Sequence, residues 1–527
     1  MATSVFSKAN RTVKISTAAA LLAGSYFASA LLGLLRDRLL AARFGLSGTL
    51  DAYFAAFSIP DLVYYLLVSG ALAVAFIPVL TERLIHHNRP SAWELSSSML
   101  NFLAMVTFVA SIIIFIFADP LMWLVAPKFD PARHELAVNL TRILAVNPFL
   151  FSISTVFGSI QQAFGRFFFF ALAPVFYNLG IIAGILGLSP RFGIGGVALG
   201  AVIGALVQLL VQQMGLIGLG FTYQVRVFWQ NKGFRQVLRL MVPRSIDEGV
   251  EHLSAVIERA IASGLAVGSI AAYQYAFNLK NLPITIIGAT IATAVFPKIS
   301  ERAAGTRTDA LKKQVADTAR VMLWMLIPTA GLFIILRGYI VRLLFGFGDP
   351  TTASILGWFA FAIVFQSLMR LVARVFYAYQ DTKTPLYTSI MALVINVGAA
   401  LLFVKLYGIR GLAMAQSLVA TLEVLVLYVI MRSRLGPLIT AKSIVNVIKI
   451  VLATLVTSTI AYLLVRFAFP LLSGETGFFH LAPKFAAIGS ISVTCYIAVG
   501  WLFRISEAEL VVSKVTHFIY RRLQIQP

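Results

Sequence analysis

A single cysteine, Cys495, stands among 527 residues, so no intrachain disulfide framework exists. Within its apolar run the thiol reads as a small packing group. Charge is also scarce, at 12% of residues against about 25% in a soluble domain. Acidic residues are the scarcer sign, 21 against 43 Lys and Arg, which leaves a net charge of +22. The six histidines, His86, His87, His134, His252, His480 and His517, fall at no metal-ligand spacing. No glycine-rich loop runs into Lys and Ser or Thr, which argues against ATP hydrolysis by this chain. No long polar loop carries a paired carboxylate set, which argues against a membrane glycosyltransferase. The expectation is no enzyme and no cofactor.

What the chain has in abundance is apolar surface: 59% hydrophobic residues and a mean hydropathy of +0.88. One water-soluble core cannot bury that much, whereas a bilayer accepts apolar side chains on every face of a helix. Runs of about 20 apolar residues predict fourteen transmembrane helices, at 14–36, 50–80, 97–118, 136–162, 167–188, 194–220, 245–268, 271–297, 317–346, 354–380, 384–406, 410–431, 443–469 and 482–503. Pro60, Pro148, Pro174, Pro283 and Pro328 fall inside these runs and predict kinks. The apolar run that follows the short basic stretch from Met1 to Lys14 leads straight into further spans, and so does not read as a cleaved leader. An even span count puts both termini on one side. Loop residues such as Arg226, Lys232, Arg235, Arg239, Lys312 and Lys313 crowd that side, so both termini are expected in the cytoplasm. The same rule accounts for the net charge without nucleic acid.

The sequence repeats itself. Asp37-Arg38, Asp51-Ala-Tyr-Phe-Ala-Ala-Phe57, Phe76-Ile-Pro78 and Glu82-Arg83 recur as Glu258-Arg259, Ala272-Tyr-Gln-Tyr-Ala-Phe277, Phe296-Pro297 and Glu301-Arg302. The offset holds between 221 residues (Asp37 to Glu258) and 219 (Glu82 to Glu301). Ala173-Pro174, Asn178 and Gly193-Ile-Gly-Gly-Val-Ala198 are echoed by Thr384-Pro385, Asn396 and Gly408-Ile-Arg-Gly-Leu-Ala413. The expected fold is therefore an all-α polytopic membrane protein of two pseudo-symmetric six-helix lobes plus two extra C-terminal helices. The lobes are placed at 14–225 and 245–434, with helices 13 and 14 at 443–503 and a cytoplasmic tail at 504–527. Each lobe has an even number of helices, so both insert in the same orientation, the parallel-repeat plan that rocks between inward-open and outward-open states. The segment 226–244, with Phe228, Trp229, Phe234, Val237, Leu238 and Leu240 among its basic residues, reads as an amphipathic interfacial linker or a charged connector.

Ionisable groups inside a span cost about 2.5–3.5 kcal/mol each on insertion scales and mark pathways or staples. Arg36, Asp37 and Arg38 close the first span, and Asp51 opens the second. Arg142 lies in the fourth; Asp247, Glu248, Glu251, Glu258 and Arg259 lie in the seventh. Lys280, Arg370, Arg374 and Glu423 complete the set. Successive residues project about 100° apart on a helix, so Arg36 and Asp37 are expected to find separate partners or line water. Arg370 and Arg374 share a face and suit either an anionic head group or Glu423. Guanidinium groups in a wet cleft suit a diphosphate, whose oxygens accept bidentate hydrogen bonds. Asp247, Glu248 and Glu251 suit a coupling cation.

The run Gly33-Leu-Leu-Arg36-Asp37, Gly45, Asp51-Ala-Tyr-Phe-Ala-Ala-Phe57-Ser-Ile-Pro60, Gly70-Ala71 and Ala75-Phe76-Ile-Pro78 resembles the opening of the MurJ family, the lipid II flippases of bacteria. So do Arg259-Ala-Ile-Ala-Ser263 and the more specific Phe376-Tyr377-Ala-Tyr-Gln-Asp381-Thr-Lys-Thr-Pro385. The family sits in the multidrug/oligosaccharidyl-lipid/polysaccharide exporter superfamily, whose members are built from duplicated six-helix lobes. The resemblance implies alternating-access export of undecaprenyl-diphosphate-linked peptidoglycan precursor across the bacterial plasma membrane. It implies a cationic cavity for the diphosphate and a groove on the last two helices for the lipid tail. Its energy would come from the membrane potential or a monovalent cation.

Carried over position by position, the cavity set is Arg36, Asp37, Arg38, Asp51, Arg259, Lys280 and Asn278. Several positions depart from the family. An Arg usual in the first helix is Ala30, a basic pair is Tyr64 and Tyr65, and an acid beyond it is Ser69. In the eighth helix Asn278 and Asn281 replace an Arg and a Glu, with Lys280 between them. Either the remaining cations suffice for lipid II or the chain carries a related polyprenyl-diphosphate glycan or another cargo. A transport-inactive scaffold for cell-wall synthesis proteins is the third reading. The expected partners are that lipid-linked glycan and membrane lipids.

Overall fold

The computed structural model describes residues 15–69, 72–86, 89–305, 308–346, 348–472, 475 and 477–523, and among them every regular element is helical. In hydrocarbon only a helix satisfies all of its backbone donors and acceptors within one segment. The chain divides into two compact units, Met1–Ala271 and Ala272–Pro527.

In the first unit α1 (Ile15–Phe44) packs along α9 (Phe168–Ala183). The second apolar run is not one helix. It comprises α2 (Gly48–Ala56), α3 (Ser58–Tyr64), π-helical turns at Tyr65–Ser69 and Leu72–Phe76, and α4 (Ile77–His86). The break before α3 follows from Pro60, which has no N–H to give to the carbonyl of Ala56; the ladder resumes with the Asp61 amide donating to Phe57 O at 2.9 Å. The same rule separates α7 (Pro131–Leu144) from α8 (Asn147–Ala163), because Pro148 cannot donate to Leu144. Pro174 and Pro328, by contrast, lie inside continuous helices, where one missing bond leaves the ladder intact on both sides.

Between these elements lie α5 (Arg89–Ile116) and α6 (Ala118–Val125). After α9 and a π turn comes α10 (Ser189–Met214). The apolar stretch Phe168–Met214 is 47 residues long, about 70 Å of helix against a hydrocarbon core of about 30 Å. It reverses at Gly193, where φ is +56°. The two arms then touch through glycine: a Cβ on Gly184 would lie 2.7 Å from Gly200 Cα, so only a side-chain-free pair allows this approach.

The last helix wholly within this unit, α11 (Lys232–Ala262), is capped by Asn231, whose side chain accepts from the Gly233 and Phe234 amides at 3.0 and 3.2 Å. It runs unbroken from the segment read as a linker into the segment read as the seventh span. Phe234 and Val237 are fully buried with Phe76, Trp93 and Leu95 in one core, while Trp229 and Leu240 are exposed.

The second unit holds most of α12 (Ser269–Pro283), α13 (Thr290–Ala304), α14 (Thr308–Phe345), α15 (Pro350–Ala378), α16 (Lys383–Tyr407), α17 (Arg410–Leu435), α18 (Ala441–Leu463), α19 (Phe478–Leu502) and α20 (Ser506–Leu523). Its main core gathers Ile284, Met322, Leu326, Ile363, Leu371, Phe376 and Leu427. The two helices beyond the repeat, α18 and α19, pack on α14, with Ile450, Ala453 and Tyr496 in a smaller core. Tyr496 donates to Trp324 O at 2.8 Å and fixes that attachment.

Eleven stretches among the described residues are long and apolar enough to cross a membrane. This is fewer than the fourteen expected.

Candidate substrate-binding site

The intramembrane charges of the first unit form a connected polar cluster. On α1, Arg36 donates through Nε and Nη2 to Asp37 Oδ1, at 3.0 and 2.8 Å. The expectation that these neighbours diverge is therefore corrected. Their Cβ atoms do point apart, but the guanidinium folds back on its long stem to reach the next carboxylate. The Asp37 side chain is 3% exposed and that of Arg36 is 23%, so the pair holds its anion inside and offers its cation. Arg36 Nη1 also donates to Asn178 Oδ1 at 3.1 Å, and Asn178 Nδ2 donates to Ser29 Oγ at 3.1 Å. The long contact between α1 and α9 sets this network in place.

Arg259, near the end of α11, donates through Nη1 to Ser58 Oγ at 3.1 Å. One turn further along α3 stands Asp61, half-buried and within electrostatic reach of Arg259. The phenols of Tyr53, Tyr65 and Tyr177 lie within electrostatic reach of the same carboxylate, and those of Tyr53 and Tyr177 within reach of Arg36. Tyr65 stacks on His252 with ring centroids 3.6 Å apart, and Tyr64 pairs with Thr155 Oγ1 at 3.0 Å. Asp61 escaped the sequence reading, although the rule that flags Asp51, an ionisable residue inside an apolar run, applies to it equally. Tyr53 and Tyr177 carried no such signal.

Asp51 is placed differently. Its carboxylate accepts from the Gly268 amide at 2.6 Å and the Ala271 amide at 2.9 Å, with Arg133 Nη1 at 3.9 Å. It therefore caps the start of α12 and is 2% exposed. Arg38 is half-buried on α1, Ala30 lies on the same helix, and Arg142 is exposed on α7. On α11, Glu248 is half-buried and Glu251 exposed. The side chains of Ser69 and Asp247 lie outside the described residues.

In the second unit Lys280 is only 1% exposed. Its ammonium donates to Gln416 Oε1 at 2.6 Å and lies 4.3 and 4.4 Å from the ring centres of Phe277 and Phe359. This is a cation held by two aromatic faces and an amide. Asn278 accepts from Gln274 Nε2 at 2.9 Å, and Asn281 is half-buried beside it in sequence. Arg374 donates to Thr293 Oγ1 at 3.3 Å, Glu423 accepts from Ser389 Oγ at 3.3 Å, and Arg370 is exposed.

The run at Asp381 is a helix-capping device outside the spans. Its carboxylate accepts from the Thr384 amide (3.0 Å), the Thr384 hydroxyl (2.6 Å) and Arg434 Nη1 (2.6 Å). Partial burial alone would raise this carboxyl, but these donors outweigh it and hold the group down at about 2.

Several known proteins are similar to this chain. The probable lipid II flippase MurJ of Borreliella burgdorferi is 26% identical over 417 residues, covering 78% of this chain and 82% of its own. That of Thermotoga maritima is 28% identical over 501 residues, covering 94% and 98%. Among solved structures, a lipid II flippase MurJ in an inward closed conformation has a TM-score of 0.77 at 24% identity, covering 92% of this chain and 98% of that one. An inward-facing multidrug resistance MATE family transporter of the MOP superfamily has a TM-score of 0.67 at 16% identity, covering 78% and 95%. The model of the family described as lipid II flippase MurJ matches residues 40–477, most of the sequence, and the chain belongs to that family.

Proposed function

We propose that this protein carries lipid II, an undecaprenyl-diphosphate-linked peptidoglycan precursor, from the inner to the outer leaflet of the bacterial plasma membrane by alternating access. The observation that carries the reading is the Arg36 network in a chain of this family. The Arg36 guanidinium is anchored by a buried carboxylate yet remains partly open, which suits an anionic head group that must bind and leave. Arg259 supplies a second guanidinium in the same unit, and Lys280 is the cation proposed for the second. No bond is made or broken in the cargo, so binding and release are the whole of the chemistry.

The finer topology belongs to the same proposal. Fourteen crossings follow from the eleven apolar stretches once Phe168–Met214 is counted twice and the charge-bearing helices α1 and α11 are added. The internal repeat supports two six-helix lobes that alternate in opening, with both termini in the cytoplasm. Helix α18 exposes Ile448, Leu452 and Leu455, and α19 exposes Ile491 and Val493, apolar surface suited to the isoprenoid tail. Asp247, Glu248 and Glu251 are the proposed contacts of a coupling cation, with the membrane potential as the other energy source.

Depletion of the protein in its host, followed by labelling of lipid II exposed on the outer leaflet, tests the proposal. Exposure should fall; undiminished exposure would rule the function out. One observation favours a second cargo. Tyr64 and Tyr65 are engaged with Thr155 and His252 where the family resemblance implies a basic pair, which suits a polyprenyl-diphosphate glycan with fewer anionic groups.

A further inference from the structure

The polar cluster around Arg36 continues into a run of aromatic rings. Asn178, which accepts from Arg36 Nη1 at 3.1 Å, is preceded on α9 by Tyr177, whose phenol lies within electrostatic reach of the same guanidinium. The ring centre of Tyr177 is 5.2 Å from that of Phe151 on α8, and Phe151 is 5.4 Å from Tyr64 at the end of α3. Tyr65 follows at 5.2 Å, with His252 of α11 stacked against it at 3.6 Å. Helices α3, α8, α9 and α11 of the first unit thus build one aromatic path that starts beside a cation.

Three features set this path apart from ordinary core. Tyr64, Tyr65, Phe151 and Tyr177 are all half-buried, so each keeps part of its surface clear of the protein. Among the described residues the Tyr65 and Tyr177 hydroxyls find no hydrogen-bond partner, although a hydroxyl in an apolar setting needs one. The rings are also held in place: Thr155 Oγ1 donates to Phe151 O at 2.7 Å and pairs with the Tyr64 hydroxyl at 3.0 Å, which pins Tyr64 against α8. Tyr64 and Tyr65 stand where the family resemblance implies a basic pair, so charge has been exchanged there for ring faces and hydroxyls.

Fixed rings with unmet hydroxyls match the chemistry of a pyranose. Its C–H face is apolar and slightly positive, which complements the negative face of an aromatic ring. Its rim of hydroxyls donates and accepts, as a phenol does. In a polyprenyl-diphosphate glycan the first sugar is bonded directly to the distal phosphate, so it lies next to whatever holds the diphosphate.

We propose that the run Tyr177, Phe151, Tyr64 and Tyr65 is a sugar subsite, with the first pyranose at Tyr177 and Phe151 while Arg36 holds the diphosphate. The inference rests on the proposed cargo and adds the means by which its glycan, and not only its anion, is recognised. A membrane phospholipid shares the anion but lacks the ring of hydroxyls, so it would leave the phenols unpaired and be discriminated against.

The test measures binding of two probes to the purified full-length chain in lipid nanodiscs. One is farnesyl diphosphate; the other is farnesyl diphosphate carrying a disaccharide of N-acetylglucosamine on its terminal phosphate. Tyr177→Phe and Tyr65→Phe, which keep the ring and remove the hydroxyl, should each weaken the sugar-bearing probe about three- to tenfold, the worth of one hydrogen bond. Phe151→Leu should weaken it by up to about tenfold through the lost ring face. Each variant should change binding of the sugar-less probe by less than about twofold, the usual margin for independent sites. Arg36→Ala should weaken both probes together.

If the ring variants weaken both probes alike, or leave the sugar-bearing probe unaffected, the rings are packing only and the subsite is wrong. Binding that still depends on Arg36 would then leave the diphosphate reading standing. A natural chain that takes the sugar-less probe and excludes the sugar-bearing one overturns the subsite as well. If the natural chain binds neither probe, or Arg36→Ala binds both as well as the natural chain does, the diphosphate reading fails and takes the inference with it. Where Phe151→Leu yields no monodisperse protein, Tyr65→Phe and Tyr177→Phe decide, because they keep every ring.

Discussion

The two units hold their buried cations by different means. In the first, Arg36 and Arg259 are embedded in polar networks of carboxylate, amide and hydroxyl groups, and both side chains remain partly open. In the second, Lys280 is shut between two phenylalanine rings with Gln416 at its tip. The difference follows from the cations themselves. A planar guanidinium can satisfy several acceptors and still present an edge, whereas a compact ammonium packs readily between aromatic faces with an amide oxygen at its tip. The first arrangement leaves its cations partly open and the second encloses its charge.

The largest effect should come from the first arrangement. Arg36→Ala removes two charge-assisted hydrogen bonds to Asp37 and one to Asn178, each worth about 1.5–3 kcal/mol. It should fail to complement loss of the natural protein, and its purified form should melt several degrees lower. Arg36→Lys should restore stability more than transport, because it keeps the charge and loses the fork. Full complementation by Arg36→Ala would remove the distinction between the units.

Asp51→Asn comes next. It keeps the shape but weakens the cap on α12, at an expected cost of about 1–2 kcal/mol in thermal unfolding. No change would mean that the two amides are satisfied in other ways. Lys280→Met sharpens the contrast from the other side. An enclosed ammonium carries a desolvation cost that an apolar side chain of similar length does not, and this offsets the loss of its bond to Gln416. Its melting temperature should therefore hold or rise, while translocation falls. A large destabilisation would place Lys280 with the arginines.

The smallest effect belongs to Asp381, outside the spans. Its folded carboxyl is depressed to about 2 from an ordinary 3.8, so its contribution is complete above about pH 4 and is lost as pH falls towards 2. Asp381→Asn should cost less than about 1 kcal/mol near neutrality, as expected of a pair whose Arg434 side chain is half exposed. The gap between the two proteins should close over that acid window. A gap that persists at pH 2 would show that the cap acts through shape alone.

Most of the helix positions were legible in the sequence. The breaks at Phe57 and before Asn147 were as well, since each lies a fixed distance before a proline. The reversal at Gly193 lies in the glycine-rich run that the repeat had already singled out. The π turns after Tyr64 and Ala183 were not legible, because they depend on how each helix settles against its neighbours. Nor was the course of 226–244, whose mixed pattern fits a lipid surface as well as a protein one. Only packing reveals that Phe234 and Val237 enter a protein core. Within the site, residue type and approximate depth could be read for Arg36, Asp51, Arg259 and Lys280, but their partners could not.

The sequence by itself determined a membrane-embedded all-helical chain with an internal duplication and a sparse, mostly basic set of intramembrane charges. Those properties are local, because the free energy of moving a side chain into hydrocarbon depends on that side chain and its immediate run. The tertiary structure alone decided that Arg36 folds onto its neighbour, that Asp51 caps a distant helix start, and that Arg259 reaches Ser58. Contacts of a few ångströms between residues some two hundred positions apart depend on helix rotation and depth, which a linear pattern does not encode.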